Sequence, residues 1–128
     1  MVHGVSVKAI REKMGVSQEQ LARLLGTSWV SVSRWERKVA QPSSASATRL
    51  QRLRELLARI GRALPKEEVP RFLQTAQPLL RGYRPIDLLD SEYSFRNLLF
   101  ADLLEKALQA FVWARFSFLP FVRGGTDG

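Results

Sequence analysis

Residues 25 to 38 read LGTSWVSVSRWERK, placing two tryptophans, two arginines and three serines within one short stretch. If Ser28 caps a helix running from about Trp29 to Lys38, the three-and-four periodicity sorts these side chains onto two faces. Val32 and Trp35 fall together and read as core. Trp29, Val30, Ser33 and Arg34 fall on the other side and read as exposed. An exposed guanidinium on a helix donates two parallel hydrogen bonds to guanine O6 and N7, and neighbouring apolar groups touch thymine methyls. The hydroxyls of Ser28, Ser31 and Ser33 suit base edges or phosphates, and Arg37 and Lys38 add cations at the helix end. This is the chemistry of reading a duplex groove.

Bond-breaking chemistry is poorly provided for. There is no cysteine, which excludes disulfides and thiolate metal sites, and the only histidine is His3, close to the N-terminus. No general base or zinc site can be assembled from that stock, and neither a metal nor a cofactor is expected. Asp87, Asp90 and Glu92 come nearest to an acidic cluster, but carboxylates beside the start of a following helix are favoured there by the helix dipole alone. No apolar run reaches the length of roughly 18 residues needed to span a bilayer, and the N-terminus has no charged-then-apolar leader pattern. A cytoplasmic, non-enzymatic protein with no membrane partner is expected.

The net charge of +8 is unevenly placed. Residues 1–64 hold twelve basic and four acidic side chains, whereas residues 65–128 hold eight of each. A cationic excess confined to one half of a chain points to a polyanion on that half.

The elements that must carry the opening stretch follow from spacing. Val7, Ile10 and Met14 recur at intervals of three and four, predicting a helix over 5–14 that ends at Gly15. Ser17 precedes QEQLARLL with Gln20 three residues on, a capping box that starts a second helix ending at Gly26. Leu21, Ala22, Leu24 and Leu25 form its buried side. With the helix after Ser28, this is a helix-turn-helix. A fourth helix follows VAQPSSAS, with Leu50, Leu53, Leu57, Ile60 and Leu64 on an apolar stripe and Arg49, Arg52, Arg59 and Arg62 on a face suited to phosphates.

IREKMGVSQEQLARLLGTSWVSVSRWERKVAQPS resembles the helix-turn-helix of the Xre/Cro family of phage-type repressors, whose pattern runs through SQ, LA, LG, S and WE to a later proline. The resemblance covers residues 5 to about 60 and implies a lambda-repressor-like bundle that binds operator DNA. It implies a phosphate-anchoring role for Gln18, base-reading positions at Trp29, Val30 and Arg34, and a structural ion pair between Arg11 and Glu36. Lys38 departs from the pattern, because the family usually has glycine after WER.

ALPKEEVP interrupts the helical pattern and marks the boundary between halves, with Pro70 tolerable only in a first helical turn. A short helix around Phe72 and Leu73, a turn at Gly82, a single helical turn from Pro85 to Leu89 and a longer helix from about Glu92 to Phe116 are predicted beyond it. FLQTAQPLLRGYRPIDLL resembles the C-terminal domain of Xre/MbcA/ParS-type antitoxins, with Arg81 in place of a glycine and Phe72 in place of a tryptophan. That resemblance implies a second, toxin-binding role, with toxin partners often of the NAD-degrading RES type and the partner surface around Leu80, Arg81, Gly82, Tyr83, Arg84 and Pro85.

The expected protein is all-α: a helix-turn-helix DNA-binding domain at 1–64 and a small helical domain at 65–128 for dimerisation and toxin binding. A homodimer is expected, since aromatic residues Tyr93, Phe95, Phe100, Phe111, Trp113, Phe116, Phe118 and Phe121 exceed what one helix hides. The function that follows is an antitoxin binding double-stranded operator DNA, repressing its own operon and neutralising a toxin. The alternative is a free-standing Xre-type regulator whose C-terminal half only dimerises.

Overall fold

Every regular element among the described residues, 6–89 and 98–117 of a computed structural model, is helical. The first three helices are eight residues each: α1 Val7–Met14, α2 Gln18–Leu25 and α3 Trp29–Glu36. Helices this short are marginal by themselves, so caps and packing must hold them. Ser6, Ser17, Ser28 and Ser43 each accept a hydrogen bond from the backbone N–H three residues on, opening α1, α2, α3 and the long α4 Ser44–Ala63. Such caps contribute about 1 kcal/mol each. At Ser17 the Gln20 side chain returns the bond, completing the capping box. The Ser6 cap sets the start of α1 at Val7, later than periodicity alone suggests, because a capping residue is extended and cannot be helical.

All three short helices end in the same way. Val16 N–H reaches Arg11 O, Thr27 N–H reaches Ala22 O and Val39 N–H reaches Arg34 O, each folding the chain back through a left-handed residue. For α1 and α2 that residue is Gly15 (φ 70°) or Gly26 (φ 68°). For α3 it is Lys38, at φ 62°. The left-handed turn ends α3 at Glu36 rather than at Lys38.

The core continues without a break past the boundary at residue 64. Met14, Leu21, Val32, Leu50 and Leu53 from the N-terminal half share one buried cluster with Phe72, Leu73, Leu89, Leu104 and Leu108. Helix α5, Glu68–Gln74, packs on α1 and α4, and α7, Leu98–Val112, packs on α4. Trp35, expected in the core, is only partly buried against it. Phe111, counted among the excess aromatics, is buried and meets Phe72 edge-to-face with centroids 5.3 Å apart. Trp113 and Phe116 remain exposed, and helical hydrogen bonding widens to a π-helical turn over Trp113–Ser117. His3, Asp90, Glu92, Tyr93, Phe95, Phe118 and Phe121 lie outside the described residues, as do the side chain of Phe100 and the expected start of the last helix.

Between α5 and the short α6, Pro85–Leu88, the chain makes one turn of 3-10 helix at Pro78–Leu80 and closes around buried Gln77. The Gln77 N–H donates to Tyr83 O, and its carbonyl accepts from Leu80 N–H and Gly82 N–H. Arg81 turns this loop at φ 59°. Both non-glycine residues with positive φ among the described residues therefore stand where each resemblance expects glycine. A left-handed conformation costs a residue with a Cβ about 1–2 kcal/mol, partly offset by the greater unfolded-state freedom of glycine. Lys38→Gly and Arg81→Gly are each expected to raise stability by about 0.5–1 kcal/mol in thermal or denaturant unfolding. A destabilised Lys38→Gly would mean that the lysine side chain makes a contact in the folded state worth more than the strain.

Candidate nucleic-acid interface

Helix α3 lies across α2, joined to it by the Gly26–Ser28 turn, with Val32 fully buried beneath. That anchor fixes which arc faces out. Trp29 is 52% exposed and Val30 46%. Arg34, Arg37 and Lys38 are exposed, while Ser31 and Ser33 are half-buried at the edges of the arc. None of those three cations has a carboxylate partner among the described residues, so their charge is free to meet an anion. The Ser28 hydroxyl accepts from Ser31 N–H and lies 3.2 Å from Ser31 Oγ, which places both hydroxyls at the start of the helix.

The pose of α3 is held by one guanidinium. Arg11 Nε and Nη2 donate to Glu36 Oε2 and Oε1 at 2.6 and 3.1 Å, and Nη1 donates to Val16 O at 3.2 Å. Gln18 Nε2 donates to the same Glu36 Oε1 at 3.1 Å. The network ties α1, the turn before α2, the first residue of α2 and the last residue of α3. Gln18, implied as a phosphate anchor, thus spends one amide proton inside the protein and keeps the other. The Glu36 side chain is 7% exposed and that of Arg11 20%. Burial alone pushes the Glu36 carboxyl up. The hydrogen bonds from Arg11 and Gln18, with the charges of Arg11 and Lys8, outweigh it and hold the carboxyl below its ordinary value. The hydrogen bond to Glu36 raises Arg11 in turn.

Several expected site residues are engaged elsewhere. Arg49 is half-buried and donates to Leu24 O, capping the end of α2 rather than joining a phosphate-facing row. Of the expected partner surface, Arg81, Gly82 and Tyr83 are exposed, but Leu80 and Pro85 are buried in the core. Arg84 is committed to Asp87, at 2.9 and 2.6 Å, and to Gln74 Oε1, at 2.9 Å. The reason is geometric: the turn around Gln77 carries Gln77 and Leu80 inward and leaves residues 81–84 outside before Pro85 and Ile86 return to the interior, which linear sequence does not reveal. Leu79, outside the expected partner surface, is exposed and stands two residues before Arg81 in the chain. Among the described residues no helix is long and apolar enough to cross a membrane, and no group of three or more acidic or histidine side chains is placed to hold a metal ion.

An exposed cationic face on the second helix of such a pair defines a class. The helix-turn-helix family model HTH_3 matches residues 7–59, so this part of the chain is a helix-turn-helix DNA-binding domain of the Xre type. Over nearly its whole length the chain is also similar in fold to a chain in the crystal structure of the M. tuberculosis MbcT–MbcA toxin–antitoxin complex. The TM-score is 0.63 at 21% identity, covering 91% of this chain and 98% of that one. A search of curated proteins finds no match.

Removing Glu36 leaves the partly buried Arg11 guanidinium with only its bond to Val16 O and takes away the acceptor of the Gln18 amide. Glu36→Ala should cost about 2–4 kcal/mol, below the range for a fully buried pair because Arg11 is partly solvated. Because the folded value of Glu36 is depressed, its stabilisation is present above the unfolded value of about 4.3 and is lost as pH falls through the folded one. The melting temperature should therefore decline below about pH 4.5, and Glu36→Gln should make that decline shallower. An unchanged acid limb in Glu36→Gln would assign the decline to other carboxylates.

Proposed function

We propose that the chain is a sequence-specific DNA-binding antitoxin of a type II toxin–antitoxin pair, which represses its own operon and neutralises a toxin by direct binding. The observation that carries the DNA half of this reading is the outward arc of α3, where Trp29, Val30 and Arg34 stand clear of the core beside Arg37 and Lys38, which have no carboxylate partner among the described residues. Arg34 grips a guanine through O6 and N7, Trp29 and Val30 meet thymine methyls, and Ser31 and Ser33 touch neighbouring edges. Gln18, Ser28, Arg37 and Lys38 bind phosphates and set the register without carrying sequence information. The protein acts in the cytoplasm as a homodimer on half-sites roughly 34 Å apart.

The toxin half of the reading is supported by the likeness in fold to a chain of a toxin–antitoxin complex, which extends through the C-terminal half. The partner surface is the exposed Arg81, Gly82 and Tyr83, together with the exposed Leu79. A toxin of the RES type is the partner class that the sequence resemblance favours. Affinity capture of the full chain from its source cells, followed by mass spectrometry and reconstitution, tests this. A stoichiometric partner that is toxic without the chain supports the antitoxin. DNA binding with no such partner supports a free-standing regulator.

Arg34→Ala should cost about 1–3 kcal/mol at the selected operator and relax preference at one base pair. Binding across a randomised duplex library measures both. A loss uniform over all sequences would reassign Arg34 to phosphate.

A further inference from the structure

We infer that Pro70, which lies on α5 in the C-terminal half, is a positioning residue for the base-reading helix α3; this rests on the proposal that α3 reads sequence. Gly15, in the left-handed turn between α1 and α2, lies directly against the Pro70 ring. A Cβ built on Gly15 would sit 2.8 Å from Pro70 Cβ and 3.1 Å from Pro70 Cγ, closer than atoms pack. The turn therefore rests on Pro70 with no clearance on that side. The next residue, Val16, supplies the carbonyl that Arg11 Nη1 binds at 3.2 Å. The remaining nitrogens of the same guanidinium hold Glu36 on α3, and Gln18, two residues beyond Val16, holds Glu36 as well. A displaced turn moves one acceptor of Arg11 and the anchor of Gln18 together, and α3 moves with them.

Helix α5 is itself fixed from behind. Glu68, buried two residues before Pro70, pairs with Arg71 at 3.2 Å and with Arg115 from the turn after α7. Phe72, two residues after Pro70, is fully buried against the ring of Phe111. Pro70 is thus a point where the C-terminal half bears directly on the turn between α1 and α2. Base contacts tolerate errors of only about 0.5 Å in the side chains that make them, so small shifts of α3 cost selectivity before they cost phosphate binding.

The test uses full-length Pro70→Gly, which removes both atoms that meet Gly15, and Pro70→Ala, which keeps the Cβ. Affinities are measured for a duplex selected by the unaltered protein from a randomised library and for a scrambled duplex of equal composition. Salt is fixed, and the temperature lies below the melting point of every variant. Leu64→Ala, at the buried residue that follows the end of α4, supplies a destabilised control. The ratio of selected to scrambled affinity should fall at least five-fold in Pro70→Gly and less in Pro70→Ala, while scrambled binding, its salt slope and the Leu64→Ala ratio stay as in the unaltered protein. An unchanged ratio in folded Pro70→Gly overturns the inference, as does an equal fall in Leu64→Ala, which would make the effect one of stability. If Pro70→Gly does not fold, an unchanged ratio in Pro70→Ala overturns it. Failure of the unaltered protein to select any sequence is a separate result that overturns the DNA-reading proposal itself.

Discussion

The contact between Arg11 and Glu36 is the constraint on which the exposed arc of α3 depends. Three eight-residue helices have little stability of their own and, packed only through apolar side chains, could rotate against one another. A planar guanidinium that binds both oxygens of one carboxylate fixes distance and angle together. Here it also binds the backbone of the intervening turn. The arc holding Trp29, Val30 and Arg34 inherits its orientation from that lock and from Val32 beneath it.

Two positions work against local stability in the same way. Lys38 and Arg81 both occupy left-handed turns, one closing α3 and the other shaping the loop around Gln77. Each puts an exposed cation on a surface proposed to meet a partner: DNA for Lys38, a protein for Arg81. Strain retained at exposed charged positions fits a role outside the fold, because neither side chain makes a hydrogen bond or ion pair among the described residues that would offset it. Arg84 is the contrast. Three residues further on, it closes onto Asp87 and Gln74 and serves the loop itself.

The two halves differ in charge and in proposed role, yet they share one core. Met14 and Phe72 are both fully buried within a single cluster, and α5 lies against α1 as well as α4. A ligand on the C-terminal half therefore acts on a body continuous with the helix-turn-helix, whereas a flexible linker would have insulated the two.

The sequence by itself determined what is decided within a few residues. Serine caps, glycine turns, the alternation that buries Val32 and exposes Trp29, and the charge imbalance all act at short range or by count. These were legible, and so was the all-helical class. An eleven-residue spacing of Ser6, Ser17 and Ser28, with Gly15 and Gly26 in step, was also present in the chain as a further signal of the same kind. The Arg11–Glu36 pair, 25 residues apart, was reached only through family resemblance, because spacing does not reveal which distant charges meet. Tertiary structure alone decided the inward turn of Leu80 and Pro85, the capture of Arg49 by Leu24 O, the partial exposure of Trp35 and the seat of Gly15 on Pro70. Each of these depends on where another element packs, and packing is settled by the whole buried volume rather than by any local run of residues.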